Sequence, residues 1–253
     1  MMNARIPAGI LLSALLGAVL FAIPAEAQVT LNEIRRDQVG TDEDEFIELL
    51  GPALTSLNGL SVIVIGDSGA ATNGVVEEIA DLNGLTTGPD GLFTLAENTC
   101  RTCGAGCPDL RADINLENSE RITILIVSGR NPRLTAGVIG FGGSVVDKDQ
   151  NGVIDATGDW DGNGTDDGPP WTAVIDCLAL LGGTADLIYC STTVGPDGTS
   201  AVSHAYACPP GGTWSLGSFT DLQFDSPCAA NPLCAPVPAE DVSWGKLKSG
   251  GEE

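Results

Sequence analysis

Histidine is nearly absent from this chain: of 253 residues, only position 204 carries one. Metal-dependent nucleases and phosphoesterases lean on several histidines as ligands or bases, so the shortage counts against them. His204 follows Ser203, but neighbours in a strand point to opposite faces, and a hydrolytic triad needs groups that face one another. It reads better as a surface or partly satisfied histidine near Tyr206 and Cys208. The Gly-x-Ser-x-Gly elbow, the phosphate-binding glycine loop and His-Glu-x-x-His are missing as well. No catalytic residue is assigned. A glycosidase needs only two carboxylates and survives this count. Aromatic residues, at 5%, thin any sugar-stacking surface, although Trp160, Trp171, Trp214 and Trp244 remain.

Positive charge is also scarce. Eleven bases stand against 34 acids, a net charge of −23, which repels nucleic acid and anionic lipid alike. Acidic composition can signal disorder, but 43% hydrophobic residues is too many for that. Long apolar runs are few. Ile10 to Ile23 is about fourteen residues, short of the roughly 20 that span a bilayer. Arg5 precedes it and Ala25-Glu26-Ala27 follows, so residues 1–27 read as a signal peptide cleaved between Ala27 and Gln28. The expected location is secreted, periplasmic or at the cell exterior, with no membrane span after cleavage. No cysteine follows the apolar run to take a lipid.

Export changes how the cysteines read. Cys100, Cys103, Cys107, Cys177, Cys190, Cys208, Cys228 and Cys234 make an even set beyond the signal, which argues for disulfides. Eight cysteines permit on the order of a hundred pairings, so spacing alone leaves the connectivity open. Cys177 and Cys190 are close enough to staple neighbouring strands. Zinc on Cys100-x-x-Cys103-x-x-x-Cys107 is the rival, but a structural site needs four ligands and no histidine is near.

What is present is short and β-branched. Val29 to Leu31, Phe46 to Leu49, Leu60 to Ile65, Val75 to Leu82, Leu92 to Leu95, Ile122 to Val127, Thr172 to Leu181 and Thr213 to Phe219 are apolar segments. Turn-forming Asn58-Gly59, Gly66-Asp67, Pro89-Asp90-Gly91 and Pro196-Asp197-Gly198 separate them. The fold class is all-β, an antiparallel sandwich or barrel. Ser61 to Ile65 is too uniformly apolar for a half-exposed strand and should be central. Val75 to Leu82 could instead form a short helix. One domain is expected over 28–235, with insertions at about 98–113 and 142–170 and a loose tail at 236–253.

The second insertion holds the chemistry. Residues 147–168 contain seven Asp and one Lys, in two phrases twelve positions apart. Asp147, Asp149, Asn151, Val153 and Asp155 recur as Asp159, Asp161, Asn163, Thr165 and Asp167, with Gly152 and Gly164 at the sixth place. Oxygen-bearing side chains at alternate positions converge on a cation when the chain coils round it, and the glycine permits the sharp turn. Val153 and Thr165 would offer backbone carbonyls. The twelfth position, where an EF-hand places a bidentate Glu, is Gly158 or Pro170, and no helices flank the phrases. They resemble the tandem aspartate-rich calcium repeats of extracellular proteins. Calcium is the expected ion, bound weakly to moderately.

The remaining motifs resemble the lamin-tail domain found in exported bacterial proteins. Leu31-Asn32-Glu33-Ile34, Asp44-Glu45-Phe46-Ile47-Glu48-Leu49 and Ser56-Leu57-Asn58-Gly59-Leu60 follow that family's opening order. Trp171 to Asp176 is similar to a late strand, and Ser226-Pro227-Cys228-Ala229-Ala230-Asn231 to the closing turn, with Cys228 where a glycine usually stands. That departure implies a disulfide added at the close. The resemblance implies an immunoglobulin-like β-sandwich with an interaction, adhesion or accessory role, often beside secreted hydrolases or nucleases. It supplies no catalytic residue. The expected partner is an extracellular protein or glycan. A secreted metal-dependent hydrolase, nuclease or glycosidase, or its accessory domain, is the alternative, and a structural surface protein the second. Glu33, Glu45 and Glu48 could be a metal or acid/base cluster, but coincidental carboxylate pairs are expected among so many acids.

Overall fold

The computed structural model describes residues 29–41, 43–67, 72–137, 143–182, 186–198, 200–208, 212–232 and 234. The expected signal peptide at 1–27 and the tail at 236–253 lie outside them. Among the described residues the chain is nearly all β, with a single short 3₁₀ turn at Leu222–Phe224 and no α-helix. No helix there is long and apolar enough to cross a membrane.

The strands are β1 (Thr30–Arg35), β2 (Phe46–Leu50), β3 (Leu60–Asp67), β4 (Asn73–Asp81), β5 (Leu92–Glu97), β6 (Leu110–Ala112), β7 (Ile122–Ser128), β8 (Ala173–Leu180), β9 (Thr193–Val194), β10 (His204–Cys208) and β11 (Thr213–Leu216). They form two sheets, ordered β11-β10-β1-β2-β5-β6 and β4-β3-β7-β8-β9. The segment from Val75 is thus strand β4, because pairing with β3 satisfies its backbone and its β-branched residues suit a pleat. The wholly antiparallel arrangement is also corrected. The pairs β5–β6 and β8–β9 are parallel, so both sheets are mixed. Each parallel partner is a very short edge strand, reached through a connection of the length that a parallel crossover needs.

The two sheets share one core. Ile34, Ile47, Leu49, Phe93 and Leu95 of the first meet Val62, Val64, Ile124, Ile126, Leu178 and Leu180 of the second in one buried cluster. Strand alternation sends the intervening residues outward, and the two outer faces are covered differently. On the second sheet Ile63, Ile65, Val76, Leu125 and Val127 are roofed by Leu134, Val146, Trp160 and Trp171. Central β3 is therefore buried on both faces, as its uniform apolar run requires. On the first sheet most outward residues are polar and still buried, Glu33, Arg35, Glu48, Thr94 and His204, beside a small apolar cluster of Phe46, Ala96 and Cys100.

Asn58-Gly59 closes its turn as expected, with Gly59 at φ +78. The Asn58 side chain accepts from Gly84 N and the Asn83 side chain from Gly59 N, which ties two turns together. All eight cysteines are paired, as Cys100–Cys103, Cys107–Cys228, Cys177–Cys190 and Cys208–Cys234. Two of these bonds, Cys100–Cys103 and Cys107–Cys228, take up the cysteines weighed for zinc and for the added closure, and Cys177–Cys190 joins β8 to the segment before β9.

Candidate metal centre

Each aspartate-rich phrase folds into a loop, and the two loops are built alike. The first residue of each accepts backbone N–H groups from the fifth and sixth: Asp147 from Asn151 and Gly152 at 3.1 and 2.9 Å, Asp159 from Asn163 and Gly164 at 3.0 and 2.7 Å. The fifth side chain accepts from the seventh N–H, Val153 to Asn151 at 2.7 Å and Thr165 to Asn163 at 2.8 Å. The ninth carboxylate accepts from the second N–H, Lys148 to Asp155 and Trp160 to Asp167, both at 2.9 Å. Positive φ falls at the fourth and sixth places in each: Gln150 and Gly152, Gly162 and Gly164. Asp and Asn bond readily to N–H groups two to five residues on, which is how this sequence coils locally.

The loops differ in what surrounds them. In the second, carboxylate oxygens of Asp159, Asp161 and Asp167 all lie within 4.8 Å of one another at a partly exposed position. Among the described residues Asp147, Asp149 and Asp155 do not converge in that way. Asp147 is fully buried, and its Oδ2 also accepts the Tyr189 hydroxyl at 2.9 Å. Burial, aided by this bond to Asp147, pushes the Tyr189 hydroxyl well above its usual range, so it stays a donor. Asp149 takes a bond from the Asn151 amide at 2.8 Å, and Val153 is exposed.

Two cations offset part of this charge. The Arg133 guanidinium bonds Asp161 and reaches Asp167 at 3.1 Å. Lys148 donates to the Asp159 carbonyl at 2.8 Å and lies over the Trp160 ring. Trp160 fastens the pair to the fold: it is 3% exposed, packs on the outer face of the second sheet and donates to the Gly168 carbonyl. The ten positions named from the sequence all lie in these two loops, because the repeat is local. Sequence reading missed Arg133 and Tyr189, which reach the loops from distant chain.

The three motif glutamates hold segments of chain in place. Glu33 accepts Ser226 N at 3.0 Å and His204 Nε2 at 2.8 Å, Glu45 accepts Leu116 N at 2.9 Å, and Glu48 accepts Cys228 N at 2.6 Å. Glu48 also takes bonds from the Asn32 amide and the Thr94 hydroxyl. Burial nevertheless pushes the Glu48 carboxyl up to about 8. Glu33, His204 and Asp225 do cluster, but Arg35 already grips both Asp225 oxygens. Glu33 thus bonds both Ser226 and His204 through its two oxygens. No protein-family model, curated protein or solved structure matches this chain.

Proposed function

We propose that this chain is an exported, non-catalytic module that binds calcium through residues 147–155 and 159–167 and serves interaction, adhesion or support at the cell exterior. The observation that carries the calcium reading is the hydrogen-bond pattern repeated position by position in the two loops, with three aspartates converging in the second. Oxygen-only donors, several of them anionic, suit calcium more than a softer ion. Asp159, Asp161, Asn163 and Asp167 are its side-chain ligands in the second loop, with the Thr165 carbonyl. Asp147, Asp149, Asn151, Asp155 and the Val153 carbonyl are their counterparts in the first.

A lamin-tail, immunoglobulin-like arrangement is supported by two sheets over one core and by the closing segment laid on Glu33 and Glu48. Cys228 sits at φ +61, a conformation that favours the glycine of the family's closing turn. The single histidine, buried against Glu33, favours a non-catalytic role. The partner is an extracellular protein or glycan, since net charge opposes nucleic acid.

Calorimetric titration of the exported protein with calcium and with magnesium tests this. Calcium should give saturable heat and raise the melting temperature, stabilising the fold by about 2.7 kcal/mol at a hundredfold excess over Kd. Magnesium should do less, because it keeps its waters. Asp159→Ala or Asp161→Ala should remove most of the second loop's effect, and Asp147→Ala that of the first. Melting unchanged by chelator, with no calcium-specific heat, would reduce the stretch to an acidic spacer.

A further inference from the structure

A second group of acids, invisible as a motif, gathers at one end of the second sheet. Asp67 ends β3, Glu120 precedes β7 and Asp186 follows β8, yet one carboxylate oxygen of each lies within 4.8 Å of the other two. Asp67 is 3% exposed and the others partly buried. Glu77 and Glu117 stand beside them, both coupled electrostatically to Asp67. No histidine or cysteine belongs to the group.

Glu77 is the independent sign of a missing ligand. It is 2% exposed, and neither of its carboxylate oxygens has a hydrogen-bond donor. Its charged neighbours are Glu117 and Asp67, both acids, and Arg36, which offsets part of the charge on Glu77 and Glu117 without hydrogen bonding to the Glu77 oxygens. Leaving such a group without partners is costly, and a native structure rarely does so without use. The position is built. The register of β3 against β4 shifts at Val64/Ile65, so Glu77 is the extra residue of a β-bulge, a device that re-aims a side chain. Its carboxylate lies over Gly66, where an added Cβ would come within 2.3 Å of Oε1, and so it points at the residue before Asp67. Single oxygens of Glu117 and Glu120 are also buried without a partner.

The local arginines do not neutralise the group by hydrogen bonding to its carboxylates. Arg36 donates to the Glu117 and Glu120 carbonyls, which shapes the turn carrying those acids, and Arg121 donates to the Asp186 carbonyl at 3.3 Å. The backbone that carries Glu117, Glu120 and Asp186 is thereby fixed from two sides.

We infer that Asp67, Glu120 and Asp186, with Glu77 and Glu117 flanking, form a binding site for a hard divalent cation, calcium, that shares no residue with the 147–167 loops. All-carboxylate oxygen donors select calcium over thiophilic or imidazole-seeking metals. The cation draws together segments that are distant in sequence, so the site exists only in the folded chain.

The test separates this site from the loops. In Asp159→Ala/Asp161→Ala/Asp147→Ala protein, calcium titration should still give one saturable heat, and adding Asp67→Asn with Glu120→Gln should abolish it. Crystals of the unaltered protein soaked in manganese should show an anomalous peak among the Asp67, Glu120 and Asp186 carboxylates, a result independent of how any variant folds. Absence of both the residual heat and that peak would make the group a proton-sharing acid cluster and overturn the inference. The loops are judged separately, by the heat that Asp67→Asn/Glu120→Gln protein retains.

Discussion

Glu48→Gln offers the sharpest test of how the buried polar face contributes to stability. Glu48 is fully buried between β1 and β5, and three donors reach it: the Asn32 amide, the Thr94 hydroxyl and Cys228 N. Burial outweighs those bonds, with nearby Glu33 adding to it, and its carboxyl moves from 4.5 to about 8. A carboxyl raised on folding is protonated in the native state while the unfolded chain has already lost that proton. Stability from this group is therefore fully present below about 4.5 and is lost as pH rises towards about 8. One retained proton changes unfolding free energy by about 1.4 kcal/mol per pH unit, and over that window the loss is on the order of 5 kcal/mol. Glutamine cannot ionise, so the variant lacks this slope. Urea unfolding of both proteins, disulfides intact, at steps from pH 5 to 8 reads the difference. The gap between the two curves should close and then reverse in the variant's favour as pH rises. Curves that run parallel throughout would show that folded Glu48 is already ionised across this range, and would refute the reasoning.

Trp160→Ala should cost about 3–5 kcal/mol in urea unfolding, as for other buried aromatics, because it opens the outer-face cluster and frees both loops; a cost under about 1 kcal/mol would mean the loops merely lie on the sheet. Arg133→Gln should raise the calcium affinity of the second loop in calorimetry, since a tethered cation no longer competes for Asp161 and Asp167; lowered affinity would show that Arg133 orders the site instead. Cys107→Ser/Cys228→Ser should destabilise most among the disulfide pairs, by about 5 kcal/mol, because that bond spans 121 residues, while Cys100→Ser/Cys103→Ser removes a link across only 3. Thermal melts of the two double variants compare them directly.

Much of the architecture could be read from the chain because its causes are local. Short β-branched runs punctuated by Asn-Gly and Pro-Asp-Gly turns give strands wherever they occur, and uniform Ser61 to Ile65 demands cover on both faces. The loops at 147 and 159 coil through Asp and Asn bonds spanning at most seven residues, so their repeat shows in the order of residues. Cys177 and Cys190 are 13 apart and bracket one strand end. Other features depend on which distant segments the folded chain brings together. The motif acids Glu33, Glu45 and Glu48 take their roles from Ser226, Leu116 and Cys228, residues 193, 71 and 180 positions away. Arg133 on the second loop, the parallel edge strands and the Cys107–Cys228 bond are equally non-local. The Asp67, Glu120 and Asp186 group is the extreme case. Three acids, one ending β3 and two on separate connections, carry no spacing signal, and only the pairing of β3, β7 and β8 sets their charges side by side.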